Sequence, residues 1–390
     1  MDKRVYLLTI VSFVVGMVEL IIGGLLDLVA ADLKISLGRA GLLITIFSLT
    51  FAVSAPILLT MTAKVERKKL TLLALFIFLI GNMAAAVSST YEILLFARIL
   101  SASSGSLLVV LCVTMAANIV ADTYRARAIG IVFMGISASL VLGVPIGLVL
   151  GNAFGWRAPF VLISLLTIFS MAGVYLFMEK LEAKPSIPFK EQLMTLKEGK
   201  VLLAQLISFL FLAGHLTLYG YLTPFLKSEL HLDGTWVSIA YFVFGIAAVL
   251  GGGIGGVLAD RFGTKRTILS VLVLFAFTLF AIPHTTFALP LFLIVMVLWS
   301  MLSWAITPAM QSYLIEISPE TADIQQSLNN SALHFGIAFG SFIGGLVIEH
   351  ASVEQNASVG GVFIVIALIL AVFSIAKESK RAEGMKTVKQ

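Results

Sequence analysis

Charge is what this chain has least of. Only 12% of its 390 residues are Asp, Glu, Lys or Arg, 59% are hydrophobic, and the mean hydropathy is +1.05. A soluble domain carries roughly twice that charged share to cover its surface, so a water-soluble globule is excluded and lipid is the expected solvent. Cysteine is nearly absent as well. The single Cys112 sits in an apolar run, which excludes a disulfide framework and a thiolate metal site and reads as a small buried hydrophobe. Neither a His-Glu-x-x-His pattern nor a Gly-Lys-Ser/Thr phosphate loop occurs, and no separate catalytic domain interrupts the apolar runs. These absences argue against an enzyme and against an ATP-driven pump on this chain, and neither a cofactor nor a metal is expected. Lys3 and Arg4 precede about 23 apolar residues without an Ala-x-Ala-type cleavage site, so this stretch is expected to be a retained first span rather than a signal peptide.

Hydrophobic runs are what the chain has in excess. A spanning helix needs about 20 largely apolar residues. That ruler predicts spans 1–6 near 5–28, 40–61, 70–87, 92–119, 127–150 and 158–178. Spans 7–12 follow near 201–226, 235–258, 267–283, 287–316, 325–348 and 359–376. The expected fold is an all-α membrane protein with twelve transmembrane helices in two pseudo-symmetric six-helix bundles. The expected division is a first bundle over 1–178, a polar linker over 179–200 containing Pro185 and Pro188, a second bundle over 201–376, and a tail over 377–390.

Basic residues orient the spans, because Lys and Arg accumulate in cytoplasmic loops. With the N-terminus inside, 21 of the 26 Lys and Arg fall on the cytoplasmic side. Only Lys34, Arg39, Arg157 and Lys227 fall outside, and Arg98 lies within a span. Both termini and the linker are therefore expected to be cytoplasmic, in a multi-pass protein of the cell membrane. The same scatter excludes nucleic acid as a partner, since no basic patch forms.

The halves repeat at an offset of 197. Ala31-Asp32-Leu33-Lys34 falls on Ser228-Glu229-Leu230-His231, and the basic loop at 64–69 falls on the one at 261–266. An even number of spans separates equivalent positions, so the repeats run parallel in topology, an arrangement that transporter halves adopt.

The stretch Gly256-Val257-Leu258-Ala259-Asp260-Arg261-Phe262-Gly263-Thr264-Lys265 joins spans 8 and 9. It resembles the signature loop of the major facilitator superfamily, Gly-x-Leu-Ala-Asp-Arg-x-Gly-Arg-Lys. The small glycines allow close helix approach, and Asp260 is placed either to cap the next helix or to pair with basic residues across the loop. Gly256, Asp260, Arg261 and Gly263 are thus candidate gating residues. The first half departs from the pattern, with Ala63 and Glu66 where the family has Asp and Gly, which puts gating contacts there in doubt. In span 5, Gly143-Val144-Pro145-Ile146-Gly147 resembles the Gly/Pro motif of proton-coupled antiporters. Gly143, Pro145 and Gly147 are candidates for a flexing segment, with a plain kinked helix as the alternative. This motif is what favours export over uptake.

Ionisable residues inside spans mark pathways or partners. Arg98 lies about six residues, roughly 9 Å, inside span 4, and resembles the membrane-embedded arginine of the superfamily. Its alternative is to snorkel to the outer headgroups. Glu19 lies near the middle of span 1 and Asp27 near its outer end, with Arg98 between them in depth. Glu19 is expected to carry the proton, against the alternative of a static Glu–Arg pair. Asp27 either couples protons or caps span 1.

His215 and Tyr219 in span 7 are four apart, on one helix face. They are placed to offer hydrogen bonds and a stacking ring to a planar polar solute, or His215 is a satisfied core histidine. Trp299, Trp304, Gln311, Asn329, Asn330 and His334 in spans 10 and 11 complete the candidate substrate site, although Trp in spans more often packs or anchors.

Val18-Glu19-Leu20, Ala213-Gly214-His215, Gln311-Ser312-Tyr313-Leu314-Ile315-Glu316 and Asp323-Ile324-Gln325-Gln326-Ser327 sharpen the resemblance. Across nearly the whole chain it is to the twelve-span drug:proton antiporter group, nearest to bacterial purine base and nucleoside efflux pumps. The resemblance implies a proton-coupled exporter of purine bases or nucleosides. Multidrug and sugar efflux pumps are its neighbours in the group, and a membrane-embedded enzyme is the alternative of another class. The expected partners are a small-molecule substrate, protons and the lipid bilayer, and the expected state is a monomer.

Overall fold

Twelve helices long and apolar enough to cross a membrane run through the computed structural model, which describes residues 2–182 and 189–387. Pro185 and Pro188 of the linker lie outside the described residues, as does the end of the tail at 388–390. Spans 1–6 are Lys3–Leu33, Leu37–Met61, Arg67–Val87, Tyr91–Asn118, Arg127–Phe154 and Ala158–Phe177. Spans 7–12 are Gly199–Tyr219, Gly234–Phe262, Thr264–Thr285, Leu289–Ile317, Ile324–His350 and Gln355–Ala376. The described residues contain no strand. In lipid only a structure that satisfies its own backbone survives, and a helix does so locally.

Polar residues at the ends of the apolar runs set where the helices begin. Asp2, Ser36, Glu66, Thr90 and Asp233 each accept a backbone N–H in the first turn of spans 1, 2, 3, 4 and 8. Within the spans, Ser and Thr hydroxyls fold back on carbonyls one turn earlier, as Thr167 does on Ile163 and Thr217 on Ala213, both at 2.7 Å. Such groups need no further partner.

Three features differ from the sequence expectation. Span 1 runs on past residue 28 to Leu33 and stops at Lys34, whose φ is 53°. Asp27 is therefore inside the helix and does not cap it. The run 201–226 is broken, since span 7 ends at Tyr219 and a short helix, Leu222–Glu229, follows. Span 5 crosses in one piece but carries a π-turn over Ser139–Gly143, immediately before Pro145. A proline cannot donate its N–H, and the wider turn absorbs the gap in the ladder.

Glycine rows hold the bundles. A Cβ on Gly147 or Gly151 of span 5 would strike Ile21 or Leu25 of span 1, and one on Gly143 would press on Met17. In span 11, Gly336, Gly340 and Gly344 meet the backbone carbonyls of Phe209, Ala213 and Thr217 of span 7. Gly143 and Gly340 are 197 apart, as are Gly147 and Gly344, so the repeat in sequence is also a repeat in packing.

Two seams join the bundles. Spans 2 and 11 cross where Gly38, Gly41 and Gly345 close around the Tyr221 ring and hydroxyl and the Glu349 side chain. Further along, the Ser331 hydroxyl donates to Ala52 O at 3.0 Å. Spans 5 and 8 meet where Gly245 lies against Leu140 and Val141. We call the face from which span 1 starts the terminal face, and the opposite one distal. The distal face is sealed by Asp27 with Lys227, by the Thr223 hydroxyl donating to Gly24 O at 3.1 Å, and by Ser36 donating to Glu349 at 2.5 Å.

Candidate functional site

Between the bundles lies a cavity of about 220 Å³. Spans 1, 2 and 5 line it from one side and spans 7, 8, 10 and 11 from the other. Glu19, His215, Tyr219 and His334 are the titratable groups on its wall, and Trp304 and Asn330 also line it.

The second-half wall is aromatic. The His215 and Tyr219 rings stack at 5.1 Å and 17°, as their four-residue spacing allows. Phe244 of span 8 lies 4.9 Å from Tyr219, and Trp299 of span 10 meets His215 edge-on at 5.3 Å. Behind the wall Trp299 is fully buried. Three polar atoms of this cluster have no hydrogen-bond partner: His215 Nδ1, the Tyr219 hydroxyl and Trp299 Nε1. Buried polar groups are nearly always satisfied, so this concentration is unusual for packing alone.

The facing wall carries charge. Arg98 is buried, with Nη1 donating to Val18 O at 2.7 Å and Nε to Leu43 O at 3.5 Å. Its guanidinium lies 3.9 Å from the Phe47 ring centroid, a cation–π contact in a desolvated place. Snorkelling to the headgroups is thereby corrected, because the side chain is held inward by two backbone carbonyls. Arg98 forms no ion pair with Glu19 within 4 Å, although its charge acts on that carboxyl. The Glu19 side chain instead faces His334 of span 11, with Oε1 and Nδ1 3.7 Å apart. The His334 ring stacks on Phe51 of span 2 at 4.1 Å.

The sequence-selected residues divide accordingly. Glu19, His215, Tyr219, Trp304, Asn330 and His334 come together at the cavity, Trp299 supports it from behind, and Arg98 supports Glu19. Asn329 is elsewhere: its amide donates to Gln205 at 3.0 Å and to Ser208 at 2.8 Å, tying span 11 to span 7. Gln311 is exposed and its backbone carbonyl takes a bond from Gln326. Neither lines the central cavity. Asp27 reaches Lys227 at the distal seal instead of the cavity.

At the loop between spans 8 and 9, Asp260 and Arg261 are exposed in the last helical turn, and Gly263 ends it with φ 85°. Only a residue tolerant of positive φ fits there. Asp260 therefore does not cap the next helix. Glu316 of span 10 accepts from the Thr264 hydroxyl at 3.0 and 3.1 Å instead. A Cβ on Gly256 would only graze Pro308. In the first half Glu66 caps span 3 and also takes the Leu181 N–H at 3.1 Å, while Arg67 N–H donates to Leu181 O at 2.9 Å. The departure from the loop pattern thus becomes a clamp on the start of the linker. Burial works against the Glu66 carboxylate, but bonds from the backbone of Leu181, Lys68 and Lys69 outweigh it and hold the carboxyl below its usual range.

Sequence reasoning did not find Phe47, Phe51, Phe244, Lys227 or Glu349. The first two carried a signal, a four-residue spacing opposite the embedded arginine. The others depend on contacts between spans far apart in sequence.

Residues 8–322 and 201–389 match the family model described as Major Facilitator Superfamily. The chain is 36% identical over 379 residues to the MFS-type transporter YbcL of Bacillus subtilis, covering 97% of each. It is 29% identical over 371 residues to the inner membrane transport protein YdhP of Escherichia coli, covering 95% of each. Among solved structures it resembles a bacterial homolog of the human lysosomal transporter Spinster in an inward-facing and occupied conformation, with TM-score 0.81, 17% identity and 96% of each chain covered.

Proposed function

The chain belongs to the Major Facilitator Superfamily, and on that premise we propose that this transporter exports a small planar polar solute in exchange for protons. Purine bases are the solute class the reading favours. The observation that carries it is a single carboxylate, Glu19, sharing the cavity with an aromatic wall in which His215 and Tyr219 keep unpartnered polar atoms. Flat rings fit between such side chains, and their ring nitrogens and N–H groups are the partners those atoms lack. The volume, about 220 Å³, lies below the roughly 300–1,000 Å³ typical of sites for drug-sized ligands. That favours a base over the bulky cations of a multidrug pump.

In this reading the bundles 1–178 and 201–376 rock about the cavity, joined by the linker 179–200. The protein is a monomer in the cell membrane with both termini cytoplasmic, an orientation supported by the bias of Lys and Arg toward the terminal face. Solute enters from the cytoplasm and displaces the Glu19 proton. After release outside, protonation of Glu19 from that side permits return. Arg98 positions Glu19 by holding the carbonyl of Val18. Asp260, Arg261, Gly256 and Gly263, and the π-turn that ends at Gly143 with Pro145 and Gly147 after it, are where the change of tilt is taken up.

The test is transport of radiolabelled hypoxanthine in everted vesicles with an acidic interior. Uphill accumulation is expected, abolished by a protonophore and by Glu19→Gln. Undiminished accumulation in that variant would remove Glu19 from the cycle. Competition by ethidium would favour a multidrug pump instead.

A further inference from the structure

His334 stands out among the cavity residues because its partner is an acid from the other bundle. Its Nδ1 lies 3.7 Å from Glu19 Oε1 and has no hydrogen-bond partner. That gap is beyond hydrogen-bond length but too short to hold a solute between the two groups. The ring is fixed by stacking on Phe51 at 4.1 Å and 27°. Its neighbour Ser331, one turn away, is bonded to Ala52 of span 2 at 3.0 Å. Span 2 therefore holds His334 at Glu19, although His334 belongs to span 11.

We propose that His334 is the proton-sharing partner of Glu19 and not a substrate ligand, so that one proton bridges the two bundles on the return leg and a solute must break the pair to bind. This deepens the reading of Glu19 as proton carrier and rests on it. The proton balance is simple. With the cavity empty, Glu19 and His334 hold one proton between them. A base entering from the cytoplasm takes the place of His334 against the carboxylate, and that proton leaves to cytoplasmic water. On the outside the solute leaves, one proton enters, and the pair re-forms as the bundles close. Solute and proton exclude each other because both need the same oxygen atoms.

The groups facing Glu19 are few enough to test. Arg98 approaches from span 4, His334 from span 11, and His215 and Tyr219 from span 7 across the cavity. Spans 2, 5, 8 and 10 contribute no titratable side chain to this wall. Infrared difference spectra of the purified full chain in lipid, recorded while pH is stepped without any solute, report the Glu19 carboxyl band, assigned by its loss in Glu19→Gln.

In His334→Gln, which cannot take a proton, and His334→Phe, which keeps a ring on Phe51, the proton affinity of that carboxyl should change about tenfold or more. His215→Gln should leave it nearly unchanged. Both His334 variants should retain the melting temperature within a few degrees, and the pH midpoint of hypoxanthine-for-hypoxanthine exchange should move in step with the carboxyl affinity, by about one unit for each tenfold change. An unchanged carboxyl titration in both variants overturns the pairing while leaving Glu19 as carrier. A Glu19 band that does not titrate at all between pH 5 and pH 9 removes the carrier reading, and the pairing with it.

Discussion

Arg98 and Glu19 are both charged groups inside the spans, but they respond differently to removal. Arg98 satisfies two carbonyls and covers Phe47 in a fully buried place. Arg98→Ala removes both of these added bonds and the cation over Phe47 and opens a void, which costs about 3 kcal/mol as an order of magnitude. A drop of several degrees in melting temperature should accompany its loss of transport. Glu19→Gln removes no such support and should lose coupling at nearly full stability, so the two variants separate on one thermal-shift plate. Glu66 gives a pH prediction outside the bilayer. Its folded carboxyl is held low, so the unfolded chain binds more protons as pH falls. The stabilisation is complete above the usual carboxyl value, about 4.5, and disappears as pH falls through the lower folded value. Wild type should therefore lose melting temperature more steeply below about pH 4.5 than Glu66→Gln. At pH 7 the Leu181 amide should exchange hydrogen faster in that variant.

Helix packing makes the next distinction, since glycines that look alike in sequence differ in what they face. Gly251, Gly255 and Gly340 lie against the backbones of Met301, Ala305 and Ala213, whereas Gly147 faces the tip of the Ile21 side chain. Backbone cannot yield and a side-chain tip can, so alanine at Gly255 or Gly340 should cost about 1–3 kcal/mol and alanine at Gly147 less. Gly130, with nothing near a Cβ, should accept alanine with no loss, and thermal melts of the four variants rank them. The twelve spans were legible because apolar length is a local property of the chain. Their ends were less so. Hydropathy fades where charges accumulate, while span 1 carries Asp32 inside its last turn and span 8 carries Asp260 and Arg261. The break after Tyr219 is marked only by Gly220 and Pro224, which an apolar-length ruler passes over. Glu19, Arg98 and His215 stood out as candidates because polar atoms in lipid are rare, and Glu19 and His215 line the cavity. Asn329 was misplaced because helical spacing gives a direction only once the neighbour on that side is known.

For the molecule as a whole, the distal seal joins Asp27 to Lys227, Ser36 to Glu349 and Thr223 to Gly24. Gly41→Ala would press a methyl into the Tyr221 hydroxyl, and Asp27→Asn would remove the ion pair. Each should populate a distally open form, seen as longer distances between spin labels at Ser89 and Phe287, both exposed in distal loops. Labelling there is clean because the native Cys112 is buried. Overall topology was readable from the offset of 197, but which end of the bundles is closed depends on side chains that meet only after folding. One feature of the cavity has an electrical consequence. Its wall holds one carboxylate, Arg98 is fixed to backbone, and Asp27 is neutralised by Lys227. A cycle that moves a neutral solute then carries a single elementary charge across the bilayer. At 100 mV this supplies about 2.3 kcal/mol, a ceiling of roughly 50-fold on the solute gradient, with another tenfold for each unit of pH difference. The reversal potential of the current on a solid-supported membrane should therefore move by about 59 mV for every tenfold change in solute ratio, the slope of one charge per solute.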